Sequence, residues 1–273
     1  MKSKELFPSI FSRHALAYQR RLEDIMSRGE SVGRTRAIEL VSALPGMRIL
    51  DLACGPGNLS RRLAELVSPG GEVVGVDLAP GMIELARSAG IANAQFEVMD
   101  IESLELPDAS FDAAICGHGF QFASDLPLAM REARRVLRPD GRLAASVPLS
   151  AVKDSVWRLL ETVIDRRLPP APVAVDQPPT RAAVQDAAAF RQTALDAGFT
   201  TAQVEVIDEA VHWESAEHLV SMFMGWWDCA SRLEGMDPVA RQAFMDDAIA
   251  TLHSKHPGAI ETKARNHVLL AQA

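Results

Sequence analysis

Between Met47 and Val147 the chain alternates two patterns: short apolar, β-branched runs bounded by Gly, Pro or Asp, and longer stretches with apolar residues every three or four positions. That alternation is the mark of βαβ units laid on a parallel sheet. The runs predict strands at Arg48–Leu52, Glu72–Asp77, Ala94–Met99, Phe111–Gly117 and Gly141–Val147. Helical periodicity falls at Asn58–Val67, Gly81–Ser88 and Leu126–Leu137. "SPGG" at Ser68–Gly71 stops the first of these helices and "RPDG" at Arg138–Gly141 the last.

After Pro148 the regularity lapses. "DSVWRLLETVIDRRL" (154–168) reads as a short helix, and the proline-rich "PPAPVAVDQPPT" (169–180) as a surface connection or hinge. The βα pattern then resumes, with a helix in "AAAFRQTALDAGF" capped by Gly198 and a strand in "TAQVEVIDEAVHW". A mostly helical segment runs from Ser215 to about His253, and "KARNHVLLAQA" closes the chain as a strand. There is no internal repeat and no low-complexity tract.

Composition narrows the function classes. With 273 residues and 48% hydrophobic content the chain suits a soluble globular protein, and its formal charge of −8 argues against a nucleic-acid partner, whose affinity comes from Lys and Arg. The basic groups at Arg13–Arg36 and Arg131–Arg142 are interleaved with acids such as Glu23, Asp24, Glu132 and Asp140, as on solvated helix faces. No apolar leader follows the N-terminal lysines and no run is long enough to span a membrane, so a cytoplasmic protein is expected. The three cysteines, Cys54, Cys116 and Cys229, show no ligand spacing, and no metal is expected.

In a doubly wound sheet, ligands bind beyond the carboxyl ends of the strands, and the first βα turn usually makes the site. Here that turn is "ILDLACGPGNLSRRLAEL" (49–66), where Gly55 and Gly57 let the backbone bend tightly and approach a ligand. An ordinary tight turn uses glycines in the same way. Asp77, at the end of the second strand, stands where an acid accepts hydrogen bonds from a ribose diol, although strand-end acids also serve as turn caps. Ser60 occupies the place of the third glycine in the dinucleotide fingerprint, which weakens a pyrophosphate fit.

"ILDLACGPGNLSRRLAE", "VVGVDLAPGMIELAR", "VMDIESLELPDASFDAAICG" and "MREARRVLRPDGRLAAS" together resemble the successive motifs of class I S-adenosylmethionine-dependent methyltransferases, of the ubiquinone/menaquinone-biosynthesis-like small-molecule branch. The resemblance covers about residues 47–147. It implies a Rossmann-like, doubly wound, mostly parallel seven-stranded α/β sheet with a closing antiparallel hairpin and a helical cap. One domain is expected: a core of about 36–149, 182–212 and 260–273, and cap elements of about 1–35, 150–181 and 213–259. The cofactor implied is S-adenosylmethionine, with S-adenosylhomocysteine as product. Carried over by position, Asp51 and the Gly55 and Gly57 backbone meet its amino-acid part, and Asp77 holds the ribose. Leu78 and Met82 pack on the adenine, Asp100 accepts from the adenine amino group, and Ile101 lies at the ring. Gly117 and His118 line the floor beside the sulfonium. Ala53 stands where glycine is commoner in the family. "FSRHALAYQRR" resembles the family's N-terminal helix, with Phe11, Ala15 and Tyr18 matching and both acids missing, so Tyr18 is carried over as a cofactor contact.

Methyl transfer from a sulfonium is an in-line displacement that gains from alignment, and a base is needed only for acceptors such as alcohols, phenols or activated carbons. His118 is the first candidate base, with a packing role as its rival, followed by His14 and His212. After the fourth strand, "CGHGFQFASD" lacks an Asn-Pro-Pro-aromatic clamp, a Pro-Cys nucleophile and a paired-glutamate loop, and "ASVPLS" lacks the Asp-Asn of metal-dependent enzymes. A small-molecule acceptor remains. The expected acceptor site is hydrophobic: Phe120, Trp157, Met222, Phe223, Trp226 and Trp227, although such a cluster at helical spacing equally makes a core. O-, N- and C-methylation stay open, as does a homodimer. Two other readings are kept: binding the cofactor without methyl transfer, as a regulator or a cyclisation or rearrangement catalyst, and an NAD-dependent oxidoreductase.

Overall fold

Three helices precede the first strand in a computed structural model that describes residues 1–150, 155–176 and 178–273. They are α1 (Ser3–Arg13), α2 (Ala15–Ser27) and α3 (Val32–Val41). The stretch Phe11–Arg21, expected as one helix, is interrupted at His14, whose φ of −110° and ψ of 16° leave the helical region.

The alternation then unfolds as β1 (Arg48–Leu52), α4 (Asn58–Val67), β2 (Glu72–Asp77), α5 (Pro80–Ser88), β3 (Ala94–Val98), β4 (Phe111–Gly117), a 3-10 turn at Phe120–Phe122, α6 (Leu126–Val136) and β5 (Leu137–Pro148). Helix α5 begins one residue before the expected Gly81, because Pro80 fits the first helical turn, where no N–H is needed. Strand β5 begins before the expected Gly141. Leu137 pairs with Phe111 and Arg142 with Ala113, so "RPDG" is an irregularity within the ladder, with Asp140 at a left-handed φ of 65°.

The remainder comprises α7 (Ser155–Arg167), α8 (Thr180–Gln185), α9 (Ala187–Asp196), β6 (Thr201–Trp213), α10 (Ala216–Phe223), α11 (Trp227–Leu233), α12 (Pro238–His253) and β7 (Ile260–Gln272). Asp154, the first residue of the expected helix, and Gln177 of the expected connection lie outside the described residues. Helix α8 starts on the last residue of that connection, and β7 starts ahead of Lys263 because its pairing with β6 reaches Trp213–Ile260. Among the described residues no helix is long and apolar enough to cross a membrane.

The seven strands form one sheet in the order β3-β2-β1-β4-β5-β7-β6. Strands β1 to β5 are parallel, and β7 runs antiparallel to both β5 and β6. The chain moves outward from β1 to β3 and then returns to β4 on the other side of β1, so the topological switch lies between β1 and β4.

Side-chain alternation feeds two cores. Leu50, Leu52, Val74, Val76, Ala114 and Leu143 enter one with α6 and α9, while Ile49, Val73, Ala113, Ile115 and Ala144 enter the other with α3 and α4. Both faces are buried, which is why these strands read as nearly continuous apolar runs. The cap has a core of its own, built from Leu160, Val163, Trp213, Leu219, Phe223, Phe244 and Leu252.

Candidate active site

The turn after β1 is wound by three left-handed residues: Ala53 (φ 53°), Gly55 (φ 55°) and Gly57 (φ 84°). The alanine accepts this conformation at a cost of roughly 1–2 kcal/mol. Gly57 suits its left-handed φ, and a Cβ there would meet Ala86 and Phe96 at a tight 3.3 Å. The turn is tied to β2 on both sides. Cys54 N donates to Val76 O at 3.0 Å, and Gly55 N donates to Asp77 Oδ2 at 2.9 Å. Asp77 Oδ1 accepts from Ala79 N at 2.8 Å, so this carboxylate joins the turn to the start of α5. Burial pushes its pKa upward against those backbone bonds.

Asp51 lies beneath the turn, 1% exposed, and accepts from Ser60 Oγ at 2.6 Å. Burial, with the charge of Asp77 adding to it, pushes Asp51 up to about 7. Ser60 is fully buried, so the residue that replaces the third glycine of a dinucleotide loop serves as the hydroxyl donor to Asp51.

A cleft with an internal volume of about 110 Å³ opens above the turn, at the switch between β1 and β4. Of the residues expected to hold a cofactor, Tyr18, Ala53, Gly55, Asp77, Leu78, Met82, Asp100, Ile101, Gly117 and His118 line it, whereas Asp51 and Gly57 do not. Lys4 is the one lysine or arginine among the described lining residues, and it is bound to Asp100 and Glu102 at 2.7 Å each.

The roof comes from α1, where the sequence pattern points to no contact earlier than Phe11. Phe7 and Phe11 each place their ring centres 5.2 Å from Phe122, and Phe11 meets Tyr18 edge-on at 5.7 Å. Phe7 precedes Phe11 by one helical turn, which is the signal that could have found it. The helix is pinned by Ser3 Oγ, which bonds Ser124 Oγ and Asp176 Oδ2 at 2.7 Å each, and by Ser12, whose Oγ accepts from Gly81 N at 3.2 Å. Gly81 is needed for that approach, since a Cβ would stand 2.5 Å from Ser12 O.

His118 follows β4 in a left-handed conformation (φ 64°), and its backbone N donates to Ser146 O at 2.8 Å. Its Nε2 is buried without a partner. Burial, reinforced by the nearby positive charges of Arg34 and Arg21, pushes the imidazole well below its usual range, with a hydrogen bond to Asn266 opposing. The ring is therefore neutral at pH 7 and offers a hydrogen bond rather than a charge.

The other candidates are dispersed. His14 lies 3.8 Å from Glu234, beside a second surface cleft that Met222 also lines. His212 is exposed on β6 between Glu30 (2.9 Å) and Glu261 (3.0 Å). Phe120 is fully buried in the sheet core, because the 3-10 turn directs it inward while Phe122, two residues on, reaches the cleft. Trp157, Phe223 and Trp226 pack against one another tilted or edge-on in the cap core, with ring centres 5.8 to 6.0 Å apart. Trp227 packs edge-on against Phe7 at 5.3 Å and so backs the roof.

Comparison with known proteins gives three kinds of finding. Residues 50–145 match the family described as "Methyltransferase domain". The chain is 34% identical over 160 residues to a 2-phytyl-1,4-naphtoquinone methyltransferase of Synechococcus elongatus, covering 56% of this chain and 68% of that protein. It is 36% identical over 148 residues to the ubiquinone/menaquinone biosynthesis C-methyltransferase UbiE of Ectopseudomonas mendocina, covering 52% and 56%. Several curated relatives are matched over only 33% to 62% of their own length. Among solved structures, the [4+2]-cyclase SpnF superposes with a TM-score of 0.57 at 18% identity, covering 100% of this chain and 97% of that one, a likeness of fold.

Proposed function

Because the chain belongs to the class I S-adenosylmethionine-dependent methyltransferases, in the ubiquinone/menaquinone-like branch, we propose that it methylates a small hydrophobic or aromatic acceptor of quinone or natural-product type. S-adenosylmethionine is the proposed donor. The observation that carries this reading is the charge of the cleft: Asp77, Asp100 and Glu102 line it, and its one lysine is already bound to two of them. An acid-lined cleft repels a pyrophosphate and favours a cationic nucleoside without phosphate. With Ser60 committed to Asp51, the NAD reading loses its support as well.

In this reading Asp77 accepts from the ribose hydroxyls, Leu78, Met82 and Ile101 flank the adenine, and Asp100 accepts from its amino group. Gly55 brings backbone to the amino-acid end, and Tyr18 and Phe11 close over it from α1 and α2. When bound, the donor supplies an electrophilic methyl carbon: the acceptor's electron pair forms the new bond as the carbon–sulfur pair stays on sulfur. The chain's task is alignment and exclusion of water, which the aromatic roof serves. Neutral His118, with Nε2 unsatisfied, accepts a hydrogen bond from the acceptor.

Incubation with methyl-labelled S-adenosylmethionine and a metabolite extract tests the proposal, and labelled small products are expected. Tight binding of S-adenosylhomocysteine with no labelled product would instead point to use of the cofactor without methyl transfer.

A further inference from the structure

The second cleft has an internal volume of about 570 Å³ and shares no lining residue with the first. That volume suits a small organic molecule, whose sites span roughly 300–1,000 Å³. Its apolar wall comes from the cap: Met222 and Met224 at the end of α10, Leu233 at the end of α11, and Met236. Methionine is unbranched and polarisable, so such a wall adapts to flat or irregular apolar bodies. Ala17 of α2 closes on this wall. A Cβ on Gly225 would stand 2.7 Å from Ala17 O, so the glycine is what lets α2 and the cap meet there.

The polar side of the cleft carries an unbalanced charge. Glu234 is the one acid among the described lining residues, and Arg13 already holds both of its oxygens, at 2.6 and 2.9 Å. Arg20 and Arg241 line the cleft with no acid bound to either among the described residues. The acids within one turn of them are engaged elsewhere: Glu23 accepts from Gln19, Asp24 pairs with Arg28, and Asp237 caps α12 through Val239 N and Ala240 N. His14 completes this side. Its Nε2 is buried without a hydrogen-bond partner, the 3.8 Å to Glu234 being too long for one. Burial pushes the imidazole below its ordinary range against the pull of Glu234, which keeps the ring neutral at pH 7.

Both arginines are exposed and hydrated, so leaving them unpaired costs the fold little. The consequence is electrostatic. In a chain of formal charge −8, this cleft sets two unmatched cations beside a methionine wall, whereas the first sets Asp77, Asp100 and Glu102 against one lysine. We infer that the second cleft is a separate binding site for a small amphipathic organic anion, its apolar body on Met222, Met224 and Met236 and its carboxylate or sulfonate held by Arg20 and Arg241. The opposite signs of the two clefts keep such an anion apart from a cationic donor. In the tautomer protonated at Nε2, His14 adds a hydrogen bond to the anion. His14 is also the residue at which α1 breaks from α2, so the occupant lies against the joint of the aromatic roof.

Calorimetry on the full chain with 2-naphthoate, and with the neutral 2-naphthamide of the same shape, tests the site. The naphthoate should bind once per chain and the amide far more weakly. Arg20→Gln and Arg241→Gln, both at exposed positions that folding does not depend on, should each weaken naphthoate roughly 3–10-fold, as for a charged contact discounted for solvent. Saturating S-adenosylhomocysteine should leave the naphthoate site open, and bound naphthoate should slow amide exchange across Ser3–Arg13. No naphthoate binding at about 1 mM, a dissociation constant too weak for a built site, overturns the inference. Equal binding of the amide overturns it too, as does an unchanged naphthoate affinity in both arginine variants. Naphthoate excluded by S-adenosylhomocysteine, with both arginine variants binding normally, would place the probe in the first cleft instead. Naphthoate that binds through the arginines yet leaves α1 exchange unaltered would remove the link to the roof.

Discussion

Asp77 accepts the backbone N–H of Gly55 at 2.9 Å, so the acid that ends β2 also holds the turn that ends β1. A residue proposed to bind the ribose thus shapes the surface on which the rest of the ligand lies. Replacing Asp77 by Ala should weaken S-adenosylhomocysteine binding by about 1–3 kcal/mol, through unpaired ribose hydroxyls and a looser turn. Calorimetry checks this, and an unchanged affinity would remove Asp77 from the site.

Asp51 yields a pH prediction. Its folded-state pKa, about 7, lies above the ordinary 3.8, so the folded state favours the proton and this group's contribution falls as pH rises between those values. Wild type should therefore lose roughly 1.4 kcal/mol per pH unit relative to Asp51→Asn across that window. Paired urea titrations at several pH values measure the difference, and parallel curves for the two proteins would contradict it.

The roof offers a mechanical test. In Gly81→Ala the new Cβ would press on Ser12 O at 2.5 Å, which must push α1 away from α5. Amide hydrogen exchange across Ser3–Arg13 should quicken and dissociation of S-adenosylhomocysteine should speed up, while the sheet amides keep their protection. Lys4→Ala should act in the same direction more weakly, because its ion pairs are partly exposed and worth less than about 1 kcal/mol.

Phe120 and Phe122 should separate stability from binding. Phe120→Ala removes a fully buried ring from the sheet core and should cost about 3–5 kcal/mol. Phe122→Ala opens the cleft's aromatic wall and should weaken ligand binding with a smaller loss of stability. Urea unfolding and calorimetry on the two variants provide the comparison, and equal destabilisation would refute the division.

The bounds of β1, β2, β4 and α4 could be read from the sequence because Gly, Pro and Asp mark where each apolar run must stop. The turn and Asp77 were legible for the same reason, since they sit at strand ends that the periodicity already places, whereas Asp100 came only from the resemblance of its motif. The roof was not legible. Ser3 meets Asp176 and Lys4 meets Asp100 across long stretches of chain, and no local pattern encodes such pairings. Phe120 and Phe122 look alike in sequence, and only the geometry of a 3-10 turn sends one to the core and the other to the cleft. Arg34 reads as part of a solvated basic group until α3 packs on the sheet and buries it.

The β6–β7 ribbon pairs from Thr201–Gln272 through to Trp213–Ile260, so the helices α10 to α12 leave and re-enter the sheet at adjacent points. Closing such an insertion costs little more for a long segment than for a short one. The stem fixes where the cap is hung but not what it contains. A different cap could be grafted at Trp213 and Ile260 without breaking the β1 turn, provided that it restores an aromatic ring where Trp227 backs Phe7, so the segment between them is a cassette tied to the roof by one side chain.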